Sequence, residues 1–171
     1  MARTDRLPDY VRSAGAAALG ARLRRLSAAM DGDARRVYAD FGVTFEQRWL
    51  GLLDLLSSHG PLTVGELAAS LGISHPSVSQ SRDSLAKARL IAWEADEEDK
   101  RRRRLRLTKE GEALVRRLRP LWEALDHAAV ALDEEAGQVA AALDRLEDKL
   151  KARGLYERVE ALIGEDRHRE R

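Results

Sequence analysis

Apolar positions along the chain fall into rows of helical spacing, interrupted near the middle by two short runs of strand character. Leu19, Leu23, Leu26 and Met30 recur at 4-3-4 steps, the seam a helix presents when it lies lengthwise on other helices. Asp31-Gly32-Asp33 predicts a break in that helix, with a short helix following over 34–40. Thr44 with Gln47 three residues on has capping-box form, and it predicts a helix carrying Phe45, Trp49, Leu52, Leu53 and Leu56 on one face. Ser57-Ser58-His59-Gly60-Pro61 ends it, and a second box, Thr63 with Glu66, opens a short helix through Ser70. Leu71-Gly72-Ile73 reads as a turn, Ser74 as the next N-cap, and Pro76 as a first-turn proline of a helix reaching residue 88.

Leu90–Trp93 and Arg104–Leu107 are the two strand-like runs, joined by a charged loop. Thr108 then caps a long helix carrying Leu114, Leu118, Leu121, Leu125, Ala128 and Leu132, with a kink expected at Pro120. Val139, Leu143, Leu146 and Leu150 repeat the 4-3-4 row after Gly137. Past Gly154, a short helix holds Leu155, Tyr156, Val159, Leu162 and Ile163, followed by a frayed polar tail over 165–171. Helix, turn, helix and hairpin in that order are the plan of a winged helix-turn-helix. The expected class is therefore mainly α with a minor β component: a two-stranded wing within 44–112, flanked by helices over 1–43 and 113–171. The flanking seams hold more apolar edge than a lone winged helix covers, which predicts dimerisation through both ends. A two-fold pair would set two reading heads roughly 34–36 Å apart.

Composition adjusts this picture in three ways. The chain has 171 residues, 44% hydrophobic and 35% charged, which suits one domain or slightly more, built of long helices with narrow apolar stripes. A net charge of +1 rules out a general polycation, so affinity for a polyanion must come from clustering. Five of the six residues 94–99 are acidic and six of the seven residues 100–106 are basic. The absence of cysteine removes disulfides, thiolate metal sites and thiol-based sensing. No secretory segment stands near Met1 and no apolar run reaches membrane-spanning length, so a cytoplasmic protein is expected.

The centre of the chain carries the candidate chemistry. Ala68, Gly72 and Val78 lie at offsets 0, 4 and 10, a small residue, a turn glycine and a packing valine as a helix-turn-helix requires. Leu67, Leu71, Ile73 and Leu85 supply the apolar contacts. With Val78 and Leu85 inward, the other side of the second helix offers Ser77, Gln80, Ser81, Ser84 and Lys87, short hydroxyls and an amide suited to base edges. Its N-terminus at Ser74 and His75 would aim N–H donors at a phosphate. An ordinary polar helix face is the plainer reading of the same residues. Arg101, Arg102 and Arg103 lie where a wing tip and its far arm would enter a minor groove; a solvated run balanced by residues 94–99 is the plainer reading here.

The motifs LTVGELAASLGIS and HPSVSQSRDSLAKARLI, with a wing ending DKRRRRLRLTKEG, resemble the MarR family of bacterial transcription factors. The resemblance implies a homodimer whose terminal helices interlock and whose winged helices meet successive major grooves of a near-palindromic double-stranded DNA site. It also implies that Asp99 braces Arg101, which takes the minor-groove role. Arg82 departs from the pattern, since the family usually has an apolar residue there. It pairs with a carboxylate or lines a ligand cavity.

Tyr38, Trp49, Arg82 and Trp122 are the candidate lining of an effector pocket for a small molecule, although ordinary core and interface packing is the favoured reading of the aromatics. His59, His75, His127 and His168 show no ligand spacing, so neither a metal nor a cofactor is expected. No catalytic triad, nucleotide loop or carboxylate pair stands out, which argues against an enzyme. The reading is a homodimeric, sequence-specific DNA-binding regulator, a repressor responsive to a ligand. The competing reading is a winged helix used for protein interaction or scaffolding.

Overall fold

The computed structural model describes residues 7–96 and 103–169. The chain forms two compact units, residues 1–116 and 117–171. The first holds α1 (Tyr10–Ser13), α2 (Leu19–Asp40), α3 (Leu50–His59), α4 (Val64–Leu71), α5 (His75–Lys87), β1 (Ile91–Ala95), β2 (Arg103–Leu107) and the start of α6 (Lys109–Glu135). The rest of α6, with α7 (Val139–Ala152) and α8 (Leu155–Arg169), makes up the second.

Asp9 starts the first unit by capping α1, accepting from the Arg12 amide at 3.1 Å. The same carboxylate takes the Arg25 guanidinium of α2 at 2.8 and 2.9 Å. The Arg12 amide first, and Arg25 after it, hold the Asp9 carboxyl below its ordinary value of 3.8.

Two local expectations give way in this region. First, α2 runs unbroken through Asp31-Gly32-Asp33. One helical glycine costs only about 1 kcal/mol, and extending an existing helix gains a hydrogen bond with every residue. Second, Thr44 caps nothing: residues 43–46 are without regular structure, and the chain enters α3 through a 3-10 turn at Gln47–Trp49 without a side-chain cap. Burial decides the entry angle instead. Phe45 and Trp49 are buried, Phe45 stacks on Tyr38 at 4.3 Å between centroids, and Trp49 meets Phe45 edge-on at 5.7 Å.

The Thr63–Glu66 capping box forms in full. Gly72 ends α4 in the left-handed region at φ 63°, sending its N–H back to the Ala68 and Ala69 carbonyls. Leu67, Val78 and Leu85 are fully buried and Ala68 nearly so, whereas Ile73 stays 42% exposed. The turn thus points Ile73 outward rather than into the two-helix seam. β1 and β2 pair antiparallel with Ile91 opposite Leu107 and Trp93 opposite Leu105. Leu62 joins the other edge of β2 by reciprocal bonds to Leu105 of 3.0 and 2.7 Å, a link no sequence motif announced.

Thr108 caps α6, accepting from Gly111 N–H at 3.0 Å while donating to the Arg89 carbonyl at 2.7 Å. Gly111 is there for closeness: a Cβ would stand 2.1 Å from the Leu90 carbonyl oxygen. The buried row of α6 is Gly111, Val115, Leu118 and Trp122, with Leu114, Leu121 and Leu125 half-buried. That row is rotated from the leucine row the spacing picked out. The helix continues through Pro120. Within the second unit, Asp133 accepts from the Ala140 amide at 2.8 Å and so caps α7 in place of left-handed Gln138. Arg158 of α8 donates to the Arg153 and Lys149 carbonyls at 3.0 and 3.1 Å, closing the end of α7. α8 continues to Arg169, beyond the expected start of fraying.

Each unit leaves an apolar row uncovered. On α2 it is Leu19, Leu23, Leu26 and Met30; in the second unit it includes Leu150, Leu155, Tyr156, Val159 and Leu162. Among the described residues, no helix is long and apolar enough to cross a membrane.

Candidate nucleic-acid interface

The candidate reading helix is α5. Ser74 caps it, its hydroxyl accepting from the Ser77 amide at 3.3 Å and lying 2.9 Å from the Ser77 hydroxyl. His75, Ser77, Gln80 and Lys87 are exposed along it, as is the cap itself. Ser81 is not: at 3% exposure it shares the inner row with Val78 and Leu85, three residues after the one and four before the other. Ser84 is also engaged, accepting from Trp49 Nε1 at 2.6 Å and donating to the Ser81 carbonyl at 3.0 Å. Both serines therefore leave the base-facing set. The Ser84 hydroxyl fastens α5 to the aromatic layer beneath it, and the outward set is Ser74, His75, Ser77, Gln80 and Lys87.

Beside this helix stands the β1–β2 ribbon. Arg103 is exposed where the far arm enters β2. Asp99, Arg101 and Arg102 lie outside the described residues. The described brace of the ribbon is a different pair. Asp96, 4% exposed, holds Arg104 Nε at 2.5 Å, and the same guanidinium donates to the Pro61 carbonyl at 3.2 Å. Charge assistance makes such bonds short and directional. Arg106 meets Glu94 across the strands at 3.2 Å. Two of the arginines in the basic run thus hold the ribbon together. Sequence alone could have hinted at this, because Arg104 and Arg106 alternate with Leu105 and Leu107 and so share one face.

Arg82 pairs with the neighbouring Asp83, at 2.9 Å from Nε and 2.7 Å from Nη2, and its guanidinium lies 5.5 Å from the centre of the Trp93 ring. Tyr38 and Trp49 are packed against Phe45. Trp122 is buried in the second unit. A recess in the first unit, about 490 Å³ and open to solvent, is lined by Arg35, Ala39, Gly42, Val43, Thr44 and Phe45. Of the aromatic group, Phe45 faces it while Tyr38 and Trp49 stand behind. Among the described residues, no three His, Asp or Glu side chains gather as a metal site would need.

A capped reading helix, a glycine turn and a braced basic ribbon coincide here with a family match: residues 41–102 fit the model described as the MarR family. The chain's winged-helix segment is similar to the MarR family. Many solved structures resemble the chain. The S. aureus MepR–DNA complex is 28% identical, with 77% of this chain and 97% of that chain covered and a TM-score of 0.61. MepR in its DNA-binding conformation is 25% identical over 77% and 98%, with a TM-score of 0.58. A MarR family regulator from Neisseria meningitidis is 26% identical over 86% and 95%, with a TM-score of 0.52. No curated protein sequence matches the chain. The likeness to these regulators extends over 77–86% of this chain.

Proposed function

We propose that the chain acts as a homodimeric, sequence-specific repressor that a small ligand releases from a near-palindromic operator. The observation that carries this is the placement of exposed Ser77 and Gln80 on a well-capped α5 directly beside an arginine-bearing ribbon. Gln80 would read a base edge, adenine being its best bidentate partner. The helix N-terminus at Ser74 and His75 would take a phosphate, and Arg101–Arg103 would anchor in the adjoining minor groove with Asp99 as a brace. Pairing of two copies is supported by the exposed apolar rows on α2, α7 and α8, since patches of this kind mark interfaces.

Release by a ligand is supported by the route from the recess to the reading helix. Phe45 lines the recess, stacks on Tyr38 and abuts Trp49, whose indole N–H is bonded to Ser84 of α5. A ligand that shifts Phe45 would shift the support under α5.

Selection of bound duplexes from a random pool tests the central claim, with salt titration and sedimentation on the product. A dimer should bind one enriched two-fold-symmetric sequence, and Arg101→Ala should lower the log–log salt slope by ~1. A monomer, or a chain that enriches no sequence, would refute the reading.

A further inference from the structure

Trp93 stands on the ribbon between the reading helix and the basic arm. It sits on β1 opposite Leu105, on the ribbon face that carries Ile91, Leu105 and Leu107 into the core. Those three are buried, yet Trp93 remains 41% exposed, an unusual position for so large an apolar ring. Two guanidiniums attend it. Arg82 of α5 lies 5.5 Å from the ring centre and Arg103 of β2 lies 5.9 Å from it, both within the range in which a cation is drawn to an indole face. Arg82 is itself steadied by Asp83 through two bonds to one carboxylate oxygen, and its side chain keeps only 23% exposure. One ring therefore touches both elements that are proposed to meet DNA.

We infer that the Arg82–Trp93–Arg103 stack is a positioning clamp that sets the basic arm of the ribbon at a fixed angle to the reading helix, and that it determines specificity rather than general DNA affinity. This inference rests on the DNA-reading function proposed above. The β1–β2 ribbon is only two strands wide, and Leu62 meets it at Leu105. Arg104 ties the other face of the ribbon to Asp96 and the Pro61 carbonyl, whereas on this face Arg103, at the outer part of β2 opposite Ala95, meets the Trp93 ring. A narrow ribbon twists and bends readily. Reading a cognate site requires the helix in the major groove and the arm in the minor groove at once, so a ribbon free to swing loses entropy on binding. Binding to arbitrary DNA needs only that positive charge find phosphates, which tolerates a swinging arm. The clamp accordingly acts on the ratio of the two affinities. It also gives Arg82 a purpose where the family pattern has an apolar residue: a stacked guanidinium spans from helix to ribbon without leaving a charge unpaired.

The test uses the full chain, a duplex enriched from a random-sequence pool, and a mixed-sequence duplex of the same length. Trp93→Leu keeps the bulk and removes the π face. It should weaken binding to the enriched duplex ~5–10-fold, as two exposed cation–π contacts imply, and change the mixed-sequence duplex by less than ~2-fold. Arg82→Leu should do much the same, and the double variant should be little worse than either single one. Trp93→Phe should recover most of the loss. Arg82→Lys, which keeps the charge without the flat guanidinium, should recover little and covers the case in which Trp93→Leu fails to fold. Equal weakening on both duplexes, or Arg82 and Trp93 effects that simply multiply, would overturn the clamp. A wild-type chain that discriminates, with variants that discriminate equally well, would overturn this inference alone. A wild-type chain that prefers no duplex would overturn the DNA-reading function and the clamp with it.

Discussion

Alanine usually stabilises a helix when it replaces glycine, by about 1 kcal/mol, but at Gly111 the sign should reverse. The first turn of α6 lies against the end of the α5–β1 connection, where a Cβ on residue 111 would stand 2.1 Å from the Leu90 carbonyl oxygen and 3.1 Å from its carbon. Relief requires the turn to move by roughly 1 Å, given van der Waals contacts near 3.5 Å. The turn is not free to move. Leu90 O accepts from the Thr108 amide at 3.0 Å, Thr108 Oγ1 donates to Arg89 O at 2.7 Å, and Gly111 N–H donates to Thr108 Oγ1 at 3.0 Å. Overpacking costs about 1–3 kcal/mol, and loosening one or two of these bonds adds about 1 kcal/mol each. Against the propensity gain, Gly111→Ala should destabilise by about 2–3 kcal/mol. Gly32→Ala on α2 is the control, because its nearest neighbour would be the tip of Arg35 at 3.9 Å; it should stabilise by about 0.5–1 kcal/mol. Urea unfolding followed by far-ultraviolet circular dichroism, at one fixed protein concentration, measures both. A midpoint for Gly111→Ala at or above wild type would refute the close-approach reasoning.

Other perturbations separate reading from support. Gln80→Ala should cost about 1–3 kcal/mol on an enriched duplex and little on mixed DNA. Ser81→Ala should leave the preference between the two duplexes unchanged, because Ser81 is buried; a lost preference would return it to the reading set. Asp96→Ala removes the carboxylate beneath Arg104 and should lower stability by about 2 kcal/mol, short of a fully buried pair because Arg104 keeps 33% exposure; urea midpoints check it. Asp9 has a depressed carboxyl, so its contribution is complete above the ordinary value of 3.8 and is lost as pH falls through the lower folded value. The protection factor of the Arg12 amide, its exchange measured against the intrinsic rate at the same pH, should therefore fall only in that acid range, and a protection factor that changes between pH 5 and 7 would contradict it.

Several elements were legible because their cause is local. Thr63 and Glu66 close a box three residues apart, Gly72 takes a positive φ that its turn requires, and Ser74 and Thr108 cap the helices they precede. Such bonds span one turn of chain and need no distant partner. The helix-turn-helix spacing and the two strand runs were legible for the same reason, and with them the likeness to the MarR family. Ser81 and Ser84 were misplaced because outward and inward serines share one alphabet. Only the position of Trp49, 35 residues from Ser84 in sequence, turned that hydroxyl toward the core. Similarly, nothing in Asp96 or Arg104 by itself distinguishes a buried brace from a solvated charge.

By itself, then, the sequence determined the helix-turn-helix and its two strands, where the reading helix begins, and that charge is concentrated on one ribbon, whereas the break expected at 31–33 and the helix start at Thr44 gave way in the fold. Periodicity and short-range hydrogen bonds are written in neighbouring residues. Tertiary structure alone decided which face of α5 stays wet, which arginines brace the ribbon and which face outward, and why Gly111 must lack a side chain. Those outcomes depend on residues that the fold brings together across intervening chain, from Asp96 and Arg104 across the ribbon to Leu90 against Gly111 and Trp49 against Ser84. Burial and ion pairing are properties of such meetings, and no single segment contains them.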